Sequence, residues 1–173
     1  MYCRRDGLET QGTVAPAPRE PEHLGGLPMM EVTATIEIER SASEVFDYLA
    51  DMANNPKWQK GMCQARWTSE PPLKLGSTYD QEASFLGKQI VSSFEVVELD
   101  PGRSIRIKTT SGTMPIDVTR SVAETSPGTT RVDAIVRGDA KGVFRLATPV
   151  MRLLVGASVR ADYRRLKALL EPS

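Results

Sequence analysis

The sequence predicts an α+β domain in which a curved antiparallel sheet of seven strands wraps around one long C-terminal helix, with two short helices after the first strand. Three observations carry this. Apolar and polar residues alternate strictly from Met30; six further alternating segments lie between about Met62 and Gly138, divided by turn signals; and a proline-free helical stretch follows Pro149. A half-apolar sheet and a single long helix must bury their apolar sides against each other.

The elements follow in order. Residues 1–28 hold four prolines and four glycines with no apolar period, so a disordered tail is expected, with the domain spanning residues 29–173. The tail lacks the continuous apolar stretch of a signal peptide, and translation starting at Met29 or Met30 is compatible with the pattern. In the first strand Met30, Val32, Ala34, Ile36 and Ile38 alternate with polar residues. Ser41 followed by Glu44 forms a capping box, which predicts a helix carrying Val45, Tyr48, Leu49 and Met52 on one face. Asn54-Asn55-Pro56 ends it before a short helix at Trp58. Turns are expected at Pro71-Pro72, Leu86-Gly87, Asp100-Pro101-Gly102, Gly112 to Pro115 and Pro127-Gly128. The last helix should run from Pro149 to about Glu171, with Val150, Leu154, Ala157 and Ala161 along its inner stripe.

Composition narrows the function. At 173 residues, 40% of them apolar, the chain is one domain able to build a core. Lys and Arg number 22 against 22 Asp and Glu, so no global field draws it to nucleic acid. Two cysteines, Cys3 and Cys63, support neither a disulfide framework nor a thiolate metal site, and the chain reads as cytoplasmic. Cys63, with no basic partner in sequence, reads as a small buried hydrophobe. The only histidine, His23, lies in the tail, which argues against a Ser-His-Asp triad, a Cys-His pair and a histidine-ligated metal; no metal or cofactor is expected.

Several segments, in order, resemble the START-like superfamily, in particular the bacterial polyketide cyclase/dehydrase-type and lipid-transport-type proteins. They are Ser43-Glu44-Val45-Phe46-Asp47-Tyr48-Leu49-Ala50-Asp51, Pro56-Lys57-Trp58, Gly76-Ser77-Thr78-Tyr79, Glu95-Val96-Val97-Glu98-Leu99-Asp100-Pro101, Gly128-Thr129-Thr130-Arg131-Val132 and Asp162-Tyr163-Arg164-Arg165-Leu166-Lys167. The resemblance covers residues 30–171 and implies the helix-grip fold. It also implies a small hydrophobic ligand such as a lipid, polyketide or isoprenoid. Some members of the superfamily are enzymes and others only bind, so the resemblance specifies no reaction.

Strand alternation nominates the inward face that would line a cavity: Tyr79, Ala83 and Phe85; Ile90, Phe94 and Val96; Ile105 and Ile107; Ile116, Val118 and Val122; Val132, Ala134 and Val136. The strand holding Phe94 is ambiguous, because Val91, Val97 and Leu99 are apolar on the opposite parity. Small residues at Gly156, Ala157, Ser158 and Ala161, near Leu154, leave room between helix and sheet; a solid core is the alternative. Gln81, Ser92, Thr109 and Arg120 break the inward pattern. Arg120 either offers its guanidinium to an anionic group of a ligand, pairs with Glu82 or Glu98, or reaches solvent. Tyr79 orients a ligand, moves a proton or simply packs. Trp58 and Trp67 either form a lid or pin the short helix to the sheet.

These readings support a ligand binder, with a cyclase using Arg120 or Tyr79 as the rival and an interaction module with a filled core as the third reading. The basic residues Arg145, Arg152, Arg160, Arg164 and Lys167 form either a solvated helix face or a transient contact for anionic membrane lipids. Oligomeric state is not indicated.

Overall fold

The computed structural model describes residues 30–85, 88–112, 115–138 and 149–171. The expected tail, Arg145 and the turn at Leu86-Gly87 lie outside them. The chain forms β1 (Met30–Ile38), α1 (Ala42–Ala50), a 3-10 turn (Met52–Asn54) and α2 (Asn55–Trp58). It continues through β2 (Met62–Trp67), β3 (Thr78–Phe85), β4 (Lys88–Asp100), β5 (Ser104–Ser111), β6 (Ile116–Ser126) and β7 (Thr129–Gly138) to α3 (Pro149–Leu170).

The strands make one antiparallel sheet in the order β1-β7-β6-β5-β4-β3-β2. β2 to β7 are consecutive neighbours, and β1 joins the far edge beside β7, with Val32 opposite Val136 and Ile36 opposite Val132. The capping box forms as predicted: the Ser41 hydroxyl accepts from the Glu44 amide, and the Glu44 carboxylate accepts from the Ser41 amide at 3.2 Å. Val45, Phe46 and Leu49 then point α1 onto the sheet.

The inward parity predicted from alternation holds across the sheet, with Tyr79, Phe94, Val96, Ile105, Ile107, Val122, Val132 and Ala134 all buried. A bulge resolves the ambiguity of β4. Val96 is opposite Ile107 while Glu98 is opposite Arg106, so Val97 is the extra residue and the parity flips after it. Leu99, opposite Ile105, therefore turns inward and packs against the core, whereas Val91 stays exposed.

The helix α3 has the expected length but a different inner face. Gly156, Tyr163 and Leu166 are buried and Val159 is half-buried, while Leu154 is 58% exposed and Ala157 and Ser158 face outward. The predicted stripe through Leu154, Ala157 and Ala161 is thus rotated away, with Ala161 only half-buried at its margin. The cause is a clamp at the helix end. Lys167 Nζ donates to the Glu37 carbonyl at 2.6 Å, Arg40 Nε to the Leu170 carbonyl at 2.7 Å, and the Glu39 amide to Glu171 Oε1 at 2.9 Å. These bonds tie one flank of the helix to the exit of β1, and the rotation follows.

Candidate functional site

Between the sheet and α3 lies a cavity of about 160 Å³. Its sheet side is built by Tyr79 and Gln81 of β3, Phe94 of β4, Ile107 of β5, Ile116, Val118 and Arg120 of β6, and Val136 of β7. The two-residue period of each strand delivers these side chains to one face. Trp58 of α2, the following Gln59, and Val159, Asp162 and Tyr163 of α3 complete it.

The aromatic walls are organised by ring contacts. Tyr79 stacks on Phe94 with centroids 5.1 Å apart, and Trp58 meets Tyr163 edge-on, also at 5.1 Å. Arg165 Nε donates to the Trp58 carbonyl at 3.0 Å, fastening α2 to α3.

Arg120 is 3% exposed. Its Nη1 donates to the Leu49 carbonyl at 2.9 Å and to Asn55 Oδ1 at 3.2 Å, and its guanidinium carbon lies 5.1 Å from the centre of the Trp58 ring. It therefore ties the end of α1 and the start of α2 to the sheet. Neither expected carboxylate meets it. Glu98 pairs with Arg106, which also grips Asp117 through two bonds, and among the described residues no carboxylate forms a salt bridge with Arg120. A guanidinium is charged at any physiological pH, so this buried cation is balanced only by neutral acceptors and a ring face.

Three buried polar groups on the lining residues have no partner among the described residues: Tyr79 Oη, Trp58 Nε1 and Arg120 Nε. Burial pushes the Tyr79 hydroxyl well above its usual range, and the Arg120 charge pulls it back only in part. Burial raises Tyr163 in the same way, again opposed by Arg120. Both phenols are therefore protonated donors at neutral pH. The one carboxylate among the described lining residues, Asp162, is engaged: its Oδ1 accepts from the Lys60 amide at 3.0 Å and from Arg165. The arrangement presents several hydrogen-bond donors and a positive charge to a small aromatic space.

A family model described as polyketide cyclase / dehydrase and lipid transport matches residues 29–171. The chain belongs to this family. Solved structures of the same architecture include a START superfamily protein from Mycobacterium smegmatis, at 16% identity and TM-score 0.67, covering 81% of this chain and 96% of that one. Ginseng major latex-like protein 151 from Panax ginseng follows at 14% identity and TM-score 0.64, covering 83% and 99%. An aromatase/cyclase from a Streptomyces species has 16% identity and TM-score 0.63, covering 83% and 92%. At such identities the likeness speaks for the helix-grip fold alone. No curated protein matches the chain.

Within this polyketide cyclase/dehydrase-type domain, Trp58, Tyr79, Gln81, Phe94, Ile107, Val118 and Arg120 come together as predicted. Others do not. Trp67 stands behind Tyr79, its rings meeting Tyr79 edge-on at 5.5 Å and its Nε1 donating to Asp51 Oδ1 at 3.0 Å. Thr109 closes the β5–β6 hairpin: its hydroxyl accepts from the Ile116 amide at 3.0 Å and donates to the Ile116 carbonyl. Ser92 lies against Gly112, where an added Cβ would come within 2.6 Å of its hydroxyl, so only glycine allows this approach. Leu154, Ala157 and Ser158 lie on the outer face of α3, and the side chain of Phe85 lies outside the described residues. Cys63 is exposed rather than buried, because β2 is an edge strand that buries only Ala65. Sequence reasoning missed Gln59, Val159, Asp162 and Tyr163 as lining residues. The spacing Gly156, Val159, Tyr163, Leu166 was the available signal for the last helix.

A larger groove of about 420 Å³, between α1 and the β2–β3 connection, is lined by Phe46, Trp67, Pro71, Pro72 and Leu73 with Asp47, Asp51 and Glu70 at its margin. Its lining leaves no buried polar group without a partner among the described residues, so the smaller cavity is the stronger candidate. On the basic face, Arg160 and Arg164 are exposed beside β1, whereas Lys167 is held by Glu37 and Glu171. No helix among the described residues is long and apolar enough to cross a membrane.

Proposed function

We propose that this protein binds a small hydrophobic ligand in the cavity between the sheet and α3, holding it by its apolar body and orienting it by one polar end. The observation that carries this is that three of the residues lining a single cavity, Tyr79, Trp58 and Arg120, each hold a buried polar atom with no partner among the described residues. Each such group costs about 1–3 kcal/mol when left unsatisfied. A cavity lined this way is suited to a ligand that supplies acceptors.

Binding is favoured over cyclisation. Polyketide ring closure needs a base to take a proton from carbon, and Asp162, the one carboxylate among the described lining residues, already accepts from Lys60 and Arg165 through Oδ1. Arg120 and Tyr79 can stabilise an oxyanion, but protonated donors do not remove protons.

The test is titration with toluene, a neutral probe of cavity size, followed by melting temperature and methyl chemical shifts. Toluene is expected to raise the melting temperature and to shift Ile107, Val118 and Val159. Val118→Trp, which fills the space, should abolish both effects. No stabilisation, or the same stabilisation in the filled variant, would refute the reading.

A further inference from the structure

Resting on that reading, we propose that the ligand is a small aromatic monoanion, a single-ring carboxylate, whose carboxylate end meets Arg120, Tyr79 and Trp58. Three independent features lead to this class.

Size is the first. A cavity of about 150 Å³ lined by Leu, Ile and Phe holds a benzene ring, and this one measures about 160 Å³. One ring with a short substituent matches that volume, and a fatty acyl chain exceeds it.

Charge is the second. Arg120 is buried with no carboxylate partner among the described residues, and a buried cation without a counter-charge is costly. An anion entering beside it restores the missing half of an ion pair. Arg120 still has its Nε free after Nη1 has bound Leu49 and Asn55. The Tyr79 hydroxyl and Trp58 indole N–H, on residues that line the same cavity, are likewise buried without a partner among the described residues. Charge-assisted hydrogen bonds from such donors are roughly twice as strong as neutral ones. The opposing charge is Asp162, half-buried and neutralised by Arg165, so it leaves the field of Arg120 in place.

The shape of the walls is the third. Trp58, Tyr79, Phe94 and Tyr163 supply ring faces and edges, while Ile107 and Val118 supply aliphatic contact. A flat ring makes more contact with such walls than a branched or flexible chain of equal volume.

Toluene, benzamide, benzoate and palmitate are compared on the full chain by calorimetry and by displacement of toluene. Benzoate is expected to bind at least about tenfold tighter than its neutral isostere benzamide, and palmitate to displace nothing. Arg120 also holds α1, so its removal risks unfolding. Tyr79→Phe and Trp58→Phe are therefore the working variants. Each should weaken benzoate about three- to tenfold more than it weakens toluene, the comparison within one variant cancelling any change in cavity shape. Benzoate no tighter than benzamide, with toluene still binding, would overturn the monoanion and leave the cavity reading standing. Displacement by palmitate would overturn the size limit in the same way. Failure of all four compounds would remove the cavity reading itself.

Discussion

Arg120 and Tyr79 occupy strand positions that alternation assigns to the core, and each brings a polar group into it. A protein selected for stability alone would place apolar residues there, since a buried hydroxyl without a partner costs about 1–3 kcal/mol. Tyr79→Phe removes only that oxygen and keeps the ring stacked on Phe94. Chemical denaturation of the ligand-free variant should therefore show stability raised by about 1 kcal/mol, at the expense of ligand affinity. A loss of stability would mean that the hydroxyl has a structural partner. That Arg120 faces inward was legible from its place between Val118 and Val122. Its partners were not. Leu49 and Asn55 lie more than sixty residues away in the chain, and only the folded arrangement of α1 and α2 brings them to it. Thr109 and Ser92 show the converse. Their polarity suggested a ligand, but Thr109 is engaged at a hairpin end and Ser92 lies against Gly112.

At the scale of elements, the strands were readable because a sheet with one buried face imposes a strict two-residue period. Even the ambiguous strand carried its explanation, since apolar residues on both parities are what a bulge at Val97 requires. The face of α3 was harder. Leu153, Leu154 and Leu169 are exposed while Gly156 is buried, so apolar residues occur around most of the helix and no single stripe dominates. Tertiary bonds from Lys167, Glu171 and Arg40 hold the helix end in the rotation that buries Tyr163 and Leu166. Truncations on the two faces check this. Leu166→Ala, fully buried, should cost about 2–5 kcal/mol in urea denaturation, and Leu154→Ala less than about 0.5 kcal/mol. Equal costs would contradict the orientation described here.

For the whole molecule, the sheet, α2 and α3 enclose a space that no pair of them encloses alone. The opening strand, the capping box, the run of hairpins and the last helix sufficed to place the chain in its family, because together they describe an architecture. The content of the cavity depends on how far α3 stands from the sheet and on which side chains intrude, and neither quantity is written in the pattern of any one segment. The outcome is a cavity of about 160 Å³ with polar residues on one side. Its most direct test is a crystal structure of the protein soaked with toluene. The account predicts density for one ring between the sheet and α3, in contact with Trp58, Phe94 and Val118. Density in the groove beside Trp67 and Leu73, or none at all, would contradict it.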